Sequence, residues 1–167
     1  MPLRGKTEST PAVAWEYALK LLTYRQRSEG EMMRRLQARG FASRIVTDTI
    51  NKLKEVGLLD DERFARDLAT YRLATRPVGR IRLQQELQQR GVTPQLAAAT
   101  VKDLLTPETE MAAARKLAQK YRRRPGEDDR RFSRRLARFL WQRGYDGEII
   151  QGVLAEIHTR DNIDRHH

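Results

Sequence analysis

The chain has 167 residues, 39% apolar and 33% charged, with a formal net charge of +11 and no cysteine. That length supports one ordinary domain or a short repeat array with a core. The missing cysteines exclude disulfides and thiolate-held metals, and the charge points to polyanions or acidic proteins as partners. No run of 18 apolar residues is present to span a membrane, and the opening MPLRGKTESTPA lacks the apolar centre of a signal peptide. The expectation is a cytoplasmic protein with no membrane association, disordered only at its ends.

Residues 1–12 are read as a flexible N-terminal segment. Apolar residues then recur at helical spacing. A first helix over 13–24 carries Trp15, Leu19 and Leu22. A second, over 28–39, carries Met32 and Leu36. It opens on Ser28-Glu29-Gly30-Glu31, the form of a reciprocal capping box. Gly40 and Phe41 follow, then a third helix marked by Ile45, Ile50 and Leu53, closed by Gly57.

The pattern then repeats. Asp60 or Asp61 caps a helix over 62–73 with Phe64, Leu68 and Tyr71. A helix over 80–90 carries Leu83 and Leu87 and ends at Gly91-Val92. Thr93-Pro94 starts the next, marked by Leu96, Val101 and Leu104. Thr106-Pro107 opens the third round: a helix over 108–121 with Met111, Ala114, Leu117 and Tyr121, then one over 130–143 with Leu136 and Leu140. Gly144-Tyr145 follows, and Asp146 caps a last helix marked by Ile149, Leu154 and Ile157.

Gly91 lies 51 residues after Gly40, and Gly144 53 after Gly91. Fixed-period similarity of this kind is the mark of a repeat array. The fold class is all-α, three tandem three-helix units at 13–57, 58–105 and 106–158, with a polar tail at 159–167. The motif Leu-x-x-Arg-Gly-apolar at Leu36, Leu87 and Leu140 is structural. Each glycine sits past a helix C-terminus, where a left-handed residue turns the last N–H groups onto orphan carbonyls. The arginine before it complements the helix dipole.

No catalytic signature is present: no phosphate-loop glycine motif, no dinucleotide fingerprint and no zinc-protease helix. His158, His166 and His167 fall at or past the end of the last helix, so no catalytic, metal or cofactor site is expected. Asp60 and Asp61 form a tight acidic pair that helix capping explains.

Binding residues are arginines. Between Arg115 and Arg143 lie 12 basic and three acidic residues. On a wheel of about 100° per residue, Arg130, Arg134 and Arg138 share one arc, flanked by Arg131 and Arg135. Phe132, Leu136, Phe139 and Leu140 take the opposite arc. Arg122, Arg123 and Arg124 precede this helix. The face is read as arginine without counter-ions, suited to bidentate contacts with phosphate or carboxylate. Lesser versions sit on the earlier second helices, at Arg34, Arg35 and Arg39, then at Arg80, Arg82 and Arg90.

A row of helix-turn-helix readers does not fit. The third helices would enter the major groove, yet the second and third copies, TPQLAAATVKDLL and DGEIIQGVLAEI, are small, acidic or apolar.

Ser28-Glu29-x-Glu31-Met32, Gly57-Leu58-Leu59-Asp60-Asp61-x-x-Phe64-Ala65, Gly79-x-Ile81-x-x-x-x-Glu86-Leu87-x-x-x-Gly91-Val92 and Arg143-Gly144-Tyr145 resemble the bacterial RecX regulatory family. The resemblance covers about residues 14–157, without clear departure. It implies an elongated, curved array of three units. It further implies a monomeric modulator, usually an inhibitor, of the RecA recombinase. Such a protein lies in the groove of the RecA–single-stranded-DNA filament and lowers its strand exchange, ATPase and coprotease activities. RecA, single-stranded DNA and double-stranded DNA are the implied partners. The other reading of the residues is a general nucleic-acid-binding architectural protein acting without RecA.

Overall fold

The computed structural model of the chain describes residues 9–164. Nine helices, and no strand, occur among them. They are α1 (Pro11–Tyr24), α2 (Glu29–Arg39), α3 (Ser43–Glu55), α4 (Asp61–Thr75), α5 (Arg80–Gln89), α6 (Pro94–Leu104), α7 (Pro107–Lys120), α8 (Asp129–Gln142) and α9 (Gly147–Asp164). They pack in consecutive threes around three separate cores.

The ends are more helical than the sequence implies. Thr10 caps α1 by accepting from the Val13 N–H at 3.3 Å, with Pro11 in the first turn. The helix therefore starts inside the segment read as flexible. At the other end α9 continues to Asp164, through most of the expected polar tail. His166 and His167 lie outside the described residues.

The internal caps fall where the hydroxyls and carboxylates place them. Thr93 and Thr106 accept from Leu96 and Thr109 N–H, each at 3.3 Å. Asp60, Asp128 and Asp146 accept from Arg63, Arg131 and Ile149 N–H at 3.1, 2.8 and 3.0 Å. Only half of the expected capping box forms. Ser28 Oγ accepts from Glu31 N–H at 3.1 Å, but the Glu31 carboxylate turns away to Arg25 and Arg90.

The first helix of each unit packs through small residues. Ala14 and Ala18, Ala65 and Ala69, and Ala114 and Ala118 are buried one turn apart on α1, α4 and α7. Trp15, Leu19 and Leu22 are only partly covered, and Tyr71, expected in the core, is 67% exposed. Alanine lets the helices approach closely, while the larger side chains close the flanks. The second and third helices supply the bulk: Met32, Leu36, Ile50 and Leu53; Leu83, Leu87 and Val101; Leu136, Leu140, Tyr145 and Val153. Leu59, numbered within the second unit, packs in the first core.

The accessible surface is 11730 Å². A compact monomer of this mass exposes about 8,500 Å².

Candidate functional site

The second helices α2, α5 and α8 are joined end to end. The start of α2 rests on the end of α5: Ser28 Oγ donates to the Arg90 carbonyl at 2.5 Å, and Arg90 Nε pairs with Glu31 at 2.8 Å. The start of α5 rests on the end of α8 in the same way. Gly79 and Ile81 N–H donate to the Arg143 and Gly144 carbonyls at 2.8 and 3.2 Å. Positive helix ends thus meet negative ones.

Gly91 and Gly144 have a second role at these joints. Both are left-handed, with φ of 89° and 84°. A Cβ on Gly91 would stand 2.5 Å from Ser28 Oγ, and one on Gly144 2.5 Å from the Arg82 nitrogen. Gly40 has the same turn, at φ 94°, but a Cβ there would meet open space among the described residues.

A carboxylate from the following unit completes each joint. Asp61 Oδ1 accepts from Glu29 N–H at 2.8 Å, and Glu110 Oε1 from Arg80 N–H at 2.9 Å. Asp61 and Glu110 each stand four residues before the first buried alanine of their helix, so they are equivalent positions. Burial pushes the Asp61 carboxyl above its ordinary value, against the Glu29 hydrogen bond. Glu110 is fully buried and also binds Arg80 Nε at 2.6 Å. That pairing raises the Arg80 guanidinium against its desolvation.

The arginines read from the sequence separate into two sets. The first set is committed to structure and corrects the expectation of a face without counter-ions. Arg80 holds Glu110. Arg82 binds Glu86 at 3.1 Å and the Gln142 carbonyl at 2.9 Å. Arg123 lies 4.4 Å over Phe132 and pairs with Asp129 and Asp161. Arg135 grips Glu127 through two nitrogens at 2.8 and 2.7 Å and lies 4.5 Å over Tyr121. It is a clamp on the loop before α8. Hydrogen bonds from Arg135 and the Arg124 N–H pull the Glu127 carboxyl down to about 2.

The second set faces water. Arg122, Arg124, Arg130, Arg134 and Arg138 are exposed, with no ion pair among the described residues. Arg131, 72% exposed, makes only a loose 3.6 Å approach to Asp128. Phe132, Leu136 and Leu140 on the opposite side of α8 are buried, so core packing fixes the helix and leaves this face outward. On the earlier second helices the arginines mostly act as staples. Arg34 reaches the Gln89 carbonyl at 3.4 Å, Arg39 covers the Tyr17 ring at 4.9 Å, and Arg90 is paired.

Among the described residues no group of three or more His, Asp or Glu is placed to hold a metal. Asp60 and Asp61 face two different helix starts. His158 makes a 3.0 Å contact with Ser133 on the flank of α8. No helix among the described residues is long and apolar enough to cross a membrane. Sequence reasoning missed the joints, although the matching Asp61-to-Ala65 and Glu110-to-Ala114 spacings carry their signal.

These features define a tandem three-helix repeat protein whose last unit displays a face of exposed arginines, most of them without an ion pair among the described residues. Residues 14–53, 60–101 and 108–154 match the first, second and third three-helix domains of RecX. The regulatory protein RecX of Pelodictyon phaeoclathratiforme is 32% identical over 151 residues, covering 89% of this chain and 91% of that protein. The one from Chromohalobacter salexigens is 34% identical over 148 residues, covering 89% and 93%. The crystal structure of RecX from Lactobacillus salivarius shares the fold, with a TM-score of 0.81, 21% identity, and coverage of 89% and 97%. The chain belongs to the RecX family of regulatory proteins.

Proposed function

We propose that this chain regulates the RecA recombinase by binding the RecA–single-stranded-DNA filament in the cytoplasm, as a monomer and without catalysis. It lowers ATP hydrolysis, strand exchange and coprotease activity. Family membership supports the regulatory role. The observation that carries the binding mode is the exposed face of Arg130, Arg131, Arg134 and Arg138 on α8. Guanidinium groups held outward by a packed helix are ready to meet phosphate or carboxylate, with only the loose Arg131–Asp128 approach to give up. A nucleoprotein filament offers both groups along its groove, and a row of three small cores offers the length to follow it.

The test is RecA ATP hydrolysis on single-stranded DNA at low salt, with increasing amounts of the protein. Hydrolysis falls at modest ratios. Replacing Arg130, Arg131, Arg134 and Arg138 with Ala weakens the effect tenfold or more while helix content stays the same. Unchanged hydrolysis with the intact protein overturns the reading. Coating of bare DNA in its place favours the architectural one.

A further inference from the structure

Three large aromatic side chains stand outside the three cores, Tyr24, Tyr71 and Trp141, and of these Trp141 alone lies on a second helix. Trp141, on the last turn of α8, is 64% exposed. It borders a cleft of about 410 Å³ at the joint between α5 and α8. Ile81, 37% exposed, is on the α5 side, and Gln85 and Gln89 follow on successive turns of the same helix. The equivalent positions three residues before Gly40 and Gly91 are Gln37 and Gln88, so only the third unit places an indole here.

The surroundings are matched to a nucleotide. Arg134, Arg138 and Trp141 follow i, i+4, i+7 spacing and share one face of α8. At 1.5 Å per residue Arg138 lies about 4.5 Å along the axis from Trp141, and Arg134 about 10.5 Å. The backbone repeat of a single strand is of this order. The amides of Gln85 and Gln89 supply donors and acceptors for a base edge. The cleft contains one carboxylate, Glu86. It is bound by Arg72 at 2.7 and 3.1 Å and by Arg82 at 3.1 Å. Its charge is therefore answered before a phosphate arrives.

We infer that the α5–α8 cleft is a base-stacking site for single-stranded nucleic acid. One unpaired base lies on the Trp141 indole, and its flanking phosphates run toward Arg138 and Arg134. Stacking on an aromatic face tolerates any base and needs the base out of a duplex. The inference extends the proposed function by naming where an unpaired strand is touched, and it stands on binding without RecA. The exposed indole favours this occupant over a protein segment: arginine serves phosphate and carboxylate alike, but an open aromatic face continuing the arginine stripe, with amides beside it, suits a base between phosphates.

The experiment is a titration of the full chain with labelled oligodeoxythymidylate and a duplex of equal length, without RecA. The oligonucleotide quenches tryptophan emission, and Trp141→Ala weakens its binding about tenfold, the scale of one stacked base. Trp141→Phe keeps most of the affinity and loses the quenching. Duplex affinity changes less than twofold in Trp141→Ala. Equal single-strand affinity of the intact protein and Trp141→Ala overturns the inference, as does an equal loss with duplex. Suppressed RecA hydrolysis together with unaltered oligonucleotide binding in Trp141→Ala removes this inference and leaves the proposed function. Stacking without any effect on RecA does the reverse.

Discussion

Glu110 and Arg80 differ in what each leaves behind when the other is removed. The Glu110 side chain has no solvent exposure, whereas that of Arg80 is 35% exposed and also lies 3.9 Å from Asp146. Arg80→Ala strands a carboxylate in the interior and costs about 3–5 kcal/mol. Glu110→Ala leaves an arginine that reaches water and Asp146, and costs about 1–2 kcal/mol. Urea unfolding of the two variants measures this asymmetry. At Glu127 the consequence is one of pH. Its carboxyl is held at about 2, below the ordinary 4.5, by Arg135 first and the Arg124 N–H second. A depressed carboxyl stabilises fully above the ordinary value and loses that contribution as pH falls through about 2. In a carboxyl NMR titration, Arg135→Ala moves the Glu127 midpoint upward toward 4.5. An unmoved midpoint shows that Arg135 does not hold the loop.

Each unit was legible as three helices because Leu36, Leu87 and Leu140 and their partners keep helical spacing around a left-handed glycine. The close-packed alanines were harder to see, since a small residue on an apolar face stands out less than Trp15 or Tyr71. The joints were hidden for a different reason. Nothing local distinguishes Gly40, where a side chain meets open space, from Gly144, where it meets the Arg82 backbone. Only the contact with the preceding unit makes the difference. The same holds for the arginines: Arg135 and Arg138 are alike on a helical wheel until Glu127 occupies one of them. Replacing each glycine with Ala separates turn strain from joint contact. Gly40→Ala costs about 1–2 kcal/mol, the strain of a left-handed alanine. Gly144→Ala adds a collision with the neighbouring unit, lowers the midpoint further and loosens α8 from α5. Equal losses in thermal unfolding would mean that the joints carry no energy.

At the scale of the whole molecule, three cores are joined in a row through α2, α5 and α8, with the joints linking consecutive units as in other repeat arrays. Structural ion pairs take up the cations at both joints, through Glu31, Glu86 and Glu110. Those on the outer face of α8 stay exposed to solvent. Arg35 on α2 is exposed as well, so the open arginines are concentrated on the third unit rather than confined to it. The most direct test of this account is a side-by-side titration of the protein with RecA–single-stranded-DNA filaments and with the same DNA alone, at moderate salt. The account predicts at least tenfold tighter binding to the filament, with most of that affinity lost in the Ala variant of Arg130, Arg131, Arg134 and Arg138. Equal affinity for bare DNA and filament, or full filament affinity in that variant, would contradict it.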